Sequence, residues 1–134
     1  MYVGLATTCE YASDMGGVLN IIGARSLWTF PSLPVRLQVF CVVFQIVAEP
    51  EDYNQTRSVR LSFTDPDGSD VIPAADLPLD FLAPDEALGL SSGQLVMRIP
   101  GHEFSKRGKY RVNIDFDGNE LSSISFAVVV KGEK

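Results

Sequence analysis

Apolar and polar positions alternate with a period of two through most of the chain. Lys109, Arg111, Asn113 and Asp115 interleave with Tyr110, Val112, Ile114 and Phe116. Successive side chains of a strand point to opposite faces, so this stretch predicts a strand with one face in a core and one in water. Asp117-Gly118-Asn119 follows, with a glycine free to take positive φ in a tight hairpin turn. A return strand is predicted over 120–130, with Ile124, Phe126, Val128 and Val130 on one face. Upstream, Val59, Leu61 and Phe63 alternate with Ser58, Arg60 and Ser62, and the run stops at the turn sequence Asp65-Pro-Asp-Gly68. Leu95, Met97 and Ile99 alternate with Val96 and Arg98 until Pro100-Gly101. Residues 3–8 and 18–30 also read as strands, separated by Asp14-Met-Gly-Gly17.

The segment 35–47 breaks this rule. It begins in alternation, but from Val39 to Phe44 every position is apolar. Such a run predicts a central strand covered on both faces, or a strand whose outer face meets a partner. A phase change near Phe40 also fits a β-bulge. An exposed Phe44 would point to a dimer, whereas a loop packed over it would account for it within one chain. Residues 80–92 alone look loop-like. Pro84 followed by Asp85 and Glu86 is helix-start chemistry and predicts at most a short helical turn near 84–90. No segment sustains a period of 3.6 residues.

Seven or eight short strands divided by turn signals predict an all-β fold, an antiparallel β-sandwich of immunoglobulin-like type. Gly108-Lys-Tyr110 opens the penultimate strand. A tyrosine there matches the tyrosine corner of such sandwiches, in which the hydroxyl bonds back to the chain; it is equally an aromatic core position.

Cys9-Glu-Tyr-Ala12, then Gly17-Val-Leu-Asn-Ile-Ile-Gly23, then Phe30-Pro31 resemble the N-terminal signature of a family of uncharacterised small bacterial proteins. In that family a Cys-Asp/Glu-Tyr-Ala strand precedes a Gly-x-Leu-Asn-Ile-x-Gly strand. Asp65-Pro-Asp-Gly68 and Gly108-Lys-Tyr110 fall where later family features are expected, so the resemblance covers nearly the whole chain. It implies a bacterial, cytoplasmic, single-domain protein, and it implies no activity and no catalytic residues.

Composition narrows the function classes. The 134 residues allow one domain over 1–134, and 46% of them are apolar, too many for intrinsic disorder. Eleven Lys and Arg against 17 Asp and Glu leave a net charge of −6, which argues against nucleic-acid and anionic-membrane partners because both require a basic surface. The first ten residues show no basic leader, and Lys131-Gly-Glu-Lys134 carries no lipidation signal, so the expected location is cytoplasmic. One His and two Cys disfavour a His- or Cys-built metal site. Cys9 and Cys41 are expected as buried thiols rather than a disulfide.

The remaining candidates are carboxylates and one imidazole. Asp65, Asp67 and Asp70 resemble the start of a calcium loop, in which alternate Asp residues chelate a hard cation, though Asp-Pro-Asp-Gly is also a favoured turn sequence. Asp115, Asp117 and Glu120 look similar. Alternating strand directions would gather the loops near 10–17, 49–55, 80–93 and 117–120 at one end, and those near 31–34, 65–70 and 102–108 at the other. Glu10, Asp14, Glu49, Glu51, Asp52, Asp80, Asp85, Glu86, Asp117 and Glu120 would then make one end strongly acidic. Arg36, Lys106, Arg107 and Lys109 would share the other end with Asp65, Asp67 and Asp70. Among the acidic positions, Glu49, Glu51, Asp52, Asp85, Glu86, Asp117 and Glu120 form a candidate face for a partner, or only a solubilising rim. His102 beside Glu103 invites a general-base role but has no nameable nucleophile. Trp28, Phe30, Phe40 and Phe44 are expected in the core before they are expected in a ligand groove.

The sequence therefore predicts a non-enzymatic protein-binding or scaffold module, needing no cofactor, that presents loop ends or a strand edge to a protein partner, itself included. The alternative is a small-ligand or calcium-binding sandwich that uses the acidic loops.

Overall fold

The structure, a computed structural model, describes residues 1–85 and 89–132. Its strands are β1 (Tyr2–Cys9), β2 (Tyr11–Met15), β3 (Val18–Ile22), β4 (Leu27–Phe30), β5 (Val35–Arg36), β6 (Val39–Val47), β7 (Gln55–Thr64), β8 (Asp70–Phe81), β9 (Ser92–Pro100), β10 (Glu103–Phe104), β11 (Gly108–Phe116) and β12 (Asn119–Val130). A single 3-10 turn, Pro50–Asp52, is the only helical element among the described residues. None of them forms a helix long and apolar enough to cross a membrane.

Two sheets form the sandwich. One has three strands in the order β1-β6-β9, and the other has five in the order β4-β12-β11-β7-β8. These are antiparallel throughout except for β4, which runs parallel to β12. Two ribbons, β2-β3 and β5-β10, complete the fold. The architecture is the all-β sandwich that the alternation predicts, with eight strands in its two main sheets.

Between the sheets lies one core cluster. It takes Phe40, Val42, Phe44 and Ile46 from β6, Val59, Leu61 and Phe63 from β7, Val112 and Ile114 from β11, and Phe126 and Val128 from β12. These are alternate residues of each strand, as one inward face requires. Full burial of each such side chain contributes about 1.5–3 kcal/mol. Trp28, Phe30 and Phe104 close the cluster, and Phe40 packs edge-on against both Trp28 and Phe104 with ring centroids 5.2 Å apart. The four aromatic residues weighed for a ligand groove are thus core.

β6 is covered on both faces. Its other row, with Cys41 and Val43, lines up with Cys9 of the neighbouring β1 and packs with Ala12, Leu19 and Ile21, so the β2-β3 ribbon supplies the second layer. Phe44 is fully buried, which removes it from consideration as a dimer contact. β6 also keeps an unbroken register with β9 from Val39 to Val47, so no bulge interrupts it near Phe40; the continuous apolar run reflects two covered faces. The register shift in this sheet falls in β1, at Gly4.

Three other expectations change. Residues 10–17 are not a loop, because Tyr11–Met15 pairs with Val18–Ile22 as a hairpin. The stretch 18–30 is two strands, broken at Gly23, which takes φ of 69°. The helical turn expected near 84–90 is absent at 84, 85, 89 and 90, and 86–88 lie outside the described residues. The penultimate strand meets its expectation: the Tyr110 hydroxyl donates to the Lys106 carbonyl 2.6 Å away, four residues upstream, and pins the turn that enters β11.

Candidate functional site

Strand register sorts the loops. β6 ends and β7 begins beside the β11-β12 turn, since Val59 lies opposite Phe116. The 65–69 turn sits beside the start of β11, since Thr64 lies opposite Arg111. The two Asp-Gly turns are therefore at opposite ends of the sandwich.

Glu49, Glu51, Asp52, Asp117 and Glu120 do share the first end, but not as one charged face. Asp52 is 2% exposed. Its carboxylate accepts from the Glu49 amide at 3.0 Å and Arg57 Nε at 3.1 Å, and lies 2.9 Å from the Met1 α-ammonium. Burial pushes this carboxyl up, but the hydrogen bonds and charges of Glu49, Met1 and Arg57 outweigh burial and hold it below the ordinary Asp range. Asp52 is an internal anchor, and its place in a partner face is corrected on that ground. Glu120 pairs with Arg111 at 2.6 Å. Glu49 is half-buried, and Glu51, Asp85 and Asp117 are exposed. Glu86 lies outside the described residues. Glu10 belongs elsewhere: it pairs with Arg25 beside the end of β1, near the Cys9–Cys41 register pair.

At the second end Asp65 builds the turn itself. Its Oδ1 accepts from the amides of Asp67 at 2.8 Å and Ser69 at 3.0 Å. The Lys106 ammonium lies 2.9 Å from both Asp65 Oδ2 and Asp67 Oδ2, where a chelated cation would need to sit. This contact with Lys106, chief among its causes, holds the Asp65 carboxyl below its usual range. Asp70 begins β8 and is exposed. Among the described residues no group of three or more His, Cys, Asp or Glu is arranged around a common metal position.

His102 is set among rings, 4.4 Å from Phe104 edge-to-face and 5.7 Å from Phe40. Burial lowers its pKa, and its Nε2 is buried without a hydrogen-bond partner. Cys9 and Cys41 face each other across β1 and β6 as buried free thiols, as expected. Burial first, and then the neighbouring Cys41, push the Cys9 thiol up to about 11, so it is not an activated nucleophile.

The surface that sequence reasoning missed is the outer face of the β2-β3 hairpin. Gly16 and Gly17, at φ of 63° and 86°, make the two-residue turn that lets Met15 pair with Val18. Ala12, Leu19 and Ile21 face inward onto β6. The opposite face carries the cross-strand pairs Tyr11–Ile22, Ser13–Asn20 and Met15–Val18. Tyr11 is 44% exposed, Ile22 60%, Val18 62% and Met15 68%. None of these six residues is charged, in a chain carrying −6. The hairpin is tied to β9: Gln94 Nε2 donates to the Gly17 carbonyl at 3.2 Å, and Arg98 Nη1 to the Ala12 carbonyl at 3.2 Å. The signal in the sequence is an uncharged alternation, Tyr-x-Ser-x-Met and Val-x-Asn-x-Ile, around a Gly-Gly turn.

The chain belongs to a family of unknown function, DUF6941, whose family model matches residues 4–129. No curated protein matches it.

Proposed function

We propose that this member of an uncharacterised family is a non-enzymatic binding or scaffold module, and that it meets a protein partner, a second copy included, through the outer face of the β2-β3 hairpin. The observation that carries the reading is that face: four large apolar side chains, each 44% exposed or more, on a rigidly braced ribbon. Scattered apolar residues are normal on a surface, but a contiguous uncharged set is what interaction sites expose. The net charge of −6 favours a protein over a nucleic acid or an anionic membrane.

The sandwich is read here as immunoglobulin-like. The pairings β1-β6-β9 and β7-β11-β12 correspond to strands A-B-E and C-F-G of that fold, and the Tyr110–Lys106 bond supports the reading. The proposed setting is a bacterial cytoplasm, as the resemblance carried by Cys9-Glu-Tyr-Ala12 implies. The calcium alternative is not favoured by any observation, since the Asp65 and Asp67 carboxylates are engaged by Lys106.

Affinity capture from the native host with the wild-type chain and with a Met15→Lys, Ile22→Lys double variant tests the proposal. A partner retained by the wild type and lost by an equally folded variant supports it. Equal retention by both overturns the hairpin assignment. Turnover on a broad substrate panel, abolished by one polar substitution, overturns the non-enzymatic reading.

A further inference from the structure

The three-stranded sheet ends on β9, which pairs with β6 alone among the described residues. The five-stranded sheet ends on β8, which lies on the same side of the sandwich. The two edges meet near Gly93, where an added Cβ would come within 3.2 Å of Leu79 and 3.3 Å of Phe81. Beyond that point they part around an open cleft of about 350 Å³. Leu61, Ile72, Ala75, Leu77, Leu95 and Met97 line it, without a charge among them. Leu61 belongs to the core, so the cleft reaches the interior of the sandwich.

The two edges differ in how they are protected. β8 carries Pro73 and Pro78, which remove backbone donors from its rim. β9 has no proline before Pro100 and no inward-pointing charge, and of the devices that normally blunt an edge it carries one charged side chain, Arg98. Its inward row is Leu95, Met97 and Ile99, facing Phe44, Val42 and Phe40 in register. Its outward row ends on Arg98, which is exposed, lies 5.9 Å from the Tyr11 ring and makes no ion pair among the described residues. In the immunoglobulin arrangement a fourth strand, D, pairs with E at this edge.

We propose that β9 accepts an extended segment of a partner protein by strand addition, with apolar side chains at alternate positions entering the cleft and a carboxylate opposite Arg98. This rests on the immunoglobulin-like binding-module reading and deepens it by naming the kind of partner. Main-chain hydrogen bonds to the free edge supply the affinity, and the cleft supplies specificity by accepting side chains about 6.8 Å apart along the added strand. The Arg98 guanidinium, which donates one hydrogen bond to the Ala12 carbonyl but faces no carboxylate among the described residues, fixes the register, because an acidic residue in that position gains a charge partner and a basic one is repelled.

Selection of displayed random decapeptides against the intact chain tests this. Enriched peptides are expected to alternate apolar residues and to carry one Asp or Glu at a fixed position. Their binding should slow amide hydrogen exchange in β9 and weaken at least tenfold in Ala75→Glu, an exposed β8 site whose substitution leaves the core intact. Repeating the selection on Arg98→Glu should replace the acidic residue with Lys or Arg. No enrichment, protection of β2 or β3 instead of β9, pairing of β9 with β9 of a second copy, or indifference to Ala75→Glu overturns the inference. Binding lost in Met15→Lys but kept in Ala75→Glu sinks this inference and leaves the hairpin reading standing. The converse pattern leaves strand addition standing and sinks the hairpin reading.

Discussion

Strand β6 and the β2-β3 hairpin both carry apolar residues on two faces, where an antiparallel strand at a surface needs only one. In β6 the excess is resolved within the chain. Phe40, Val42, Phe44 and Ile46 fill the sandwich, and Cys41 and Val43 are sealed beneath the hairpin. In the hairpin only the inner row is resolved. Ala12, Leu19 and Ile21 lie on β6, while Tyr11, Met15, Val18 and Ile22 face water. The same sequence feature thus has two physical outcomes, and the difference lies in whether another layer exists to cover it. Water penalises an uncovered apolar row by roughly 25 cal/mol per Å². A second body that covers the outer row recovers this.

The comparison breaks if β6 is not the doubly packed element it is taken to be. Phe44→Ala removes a fully buried ring from the inner row and should cost about 3–5 kcal/mol, read from the shift of the urea midpoint. A cost below about 1 kcal/mol would mean the inner row is loosely packed.

Asp52→Asn should cost about 3 kcal/mol, because it strands the Met1 ammonium and part of the Arg57 interaction at a buried position. The pH dependence follows from the sign of the shift. The folded carboxyl sits below its ordinary value near 3.9, so its stabilisation is present above that pH and is lost as pH falls through the folded value. Denaturant melts between about pH 5 and pH 2 should show the wild type losing more stability than Asp52→Asn. Parallel losses would remove Asp52 from its anchoring role.

Val43→Ala, in the row beneath the hairpin, should cost about 2 kcal/mol and should raise hydrogen exchange in β2 and β3. No change in hairpin exchange would separate the two layers that the comparison joins. The smallest effect belongs to the outer face. Met15→Lys with Ile22→Lys should shift stability by no more than about 0.5 kcal/mol, measured by thermal melting, because neither side chain packs on the core. A larger loss would make the outer row structural.

Much of this architecture was legible from alternation. β7, β9, β11 and β12 follow the predicted phase, because each turns one apolar row toward the core cluster. β8 was not seen, since Pro73 and Pro78 and its acidic residues interrupt the pattern; an edge strand tolerates them because its outer backbone groups need no partner. Tyr-Ala-Ser-Asp-Met reads as loop because it has no β-branched residue, and pairing with β3 overrides that weak propensity. Alternating strand directions place the two Asp-Gly turns at opposite ends, as the register does, but they also place Asp52 at a solvent-facing loop, where the structure buries it. Nothing in one dimension reveals that Met1 and Arg57 converge on it. The hairpin face escaped for a related reason. Its polarity pattern resembles any half-buried strand until the packing shows which row the sandwich uses.

Hydroxyl-radical footprinting of Met15 and Tyr11, in host extract against dilute buffer, tests the central claim most directly. Leu82 and Leu90, which are more than 70% exposed and are not part of the hairpin, serve as internal standards. The account predicts that labelling of Met15 and Tyr11 falls several-fold in extract while Leu82 and Leu90 keep theirs. Equal labelling of all four in both settings would contradict it.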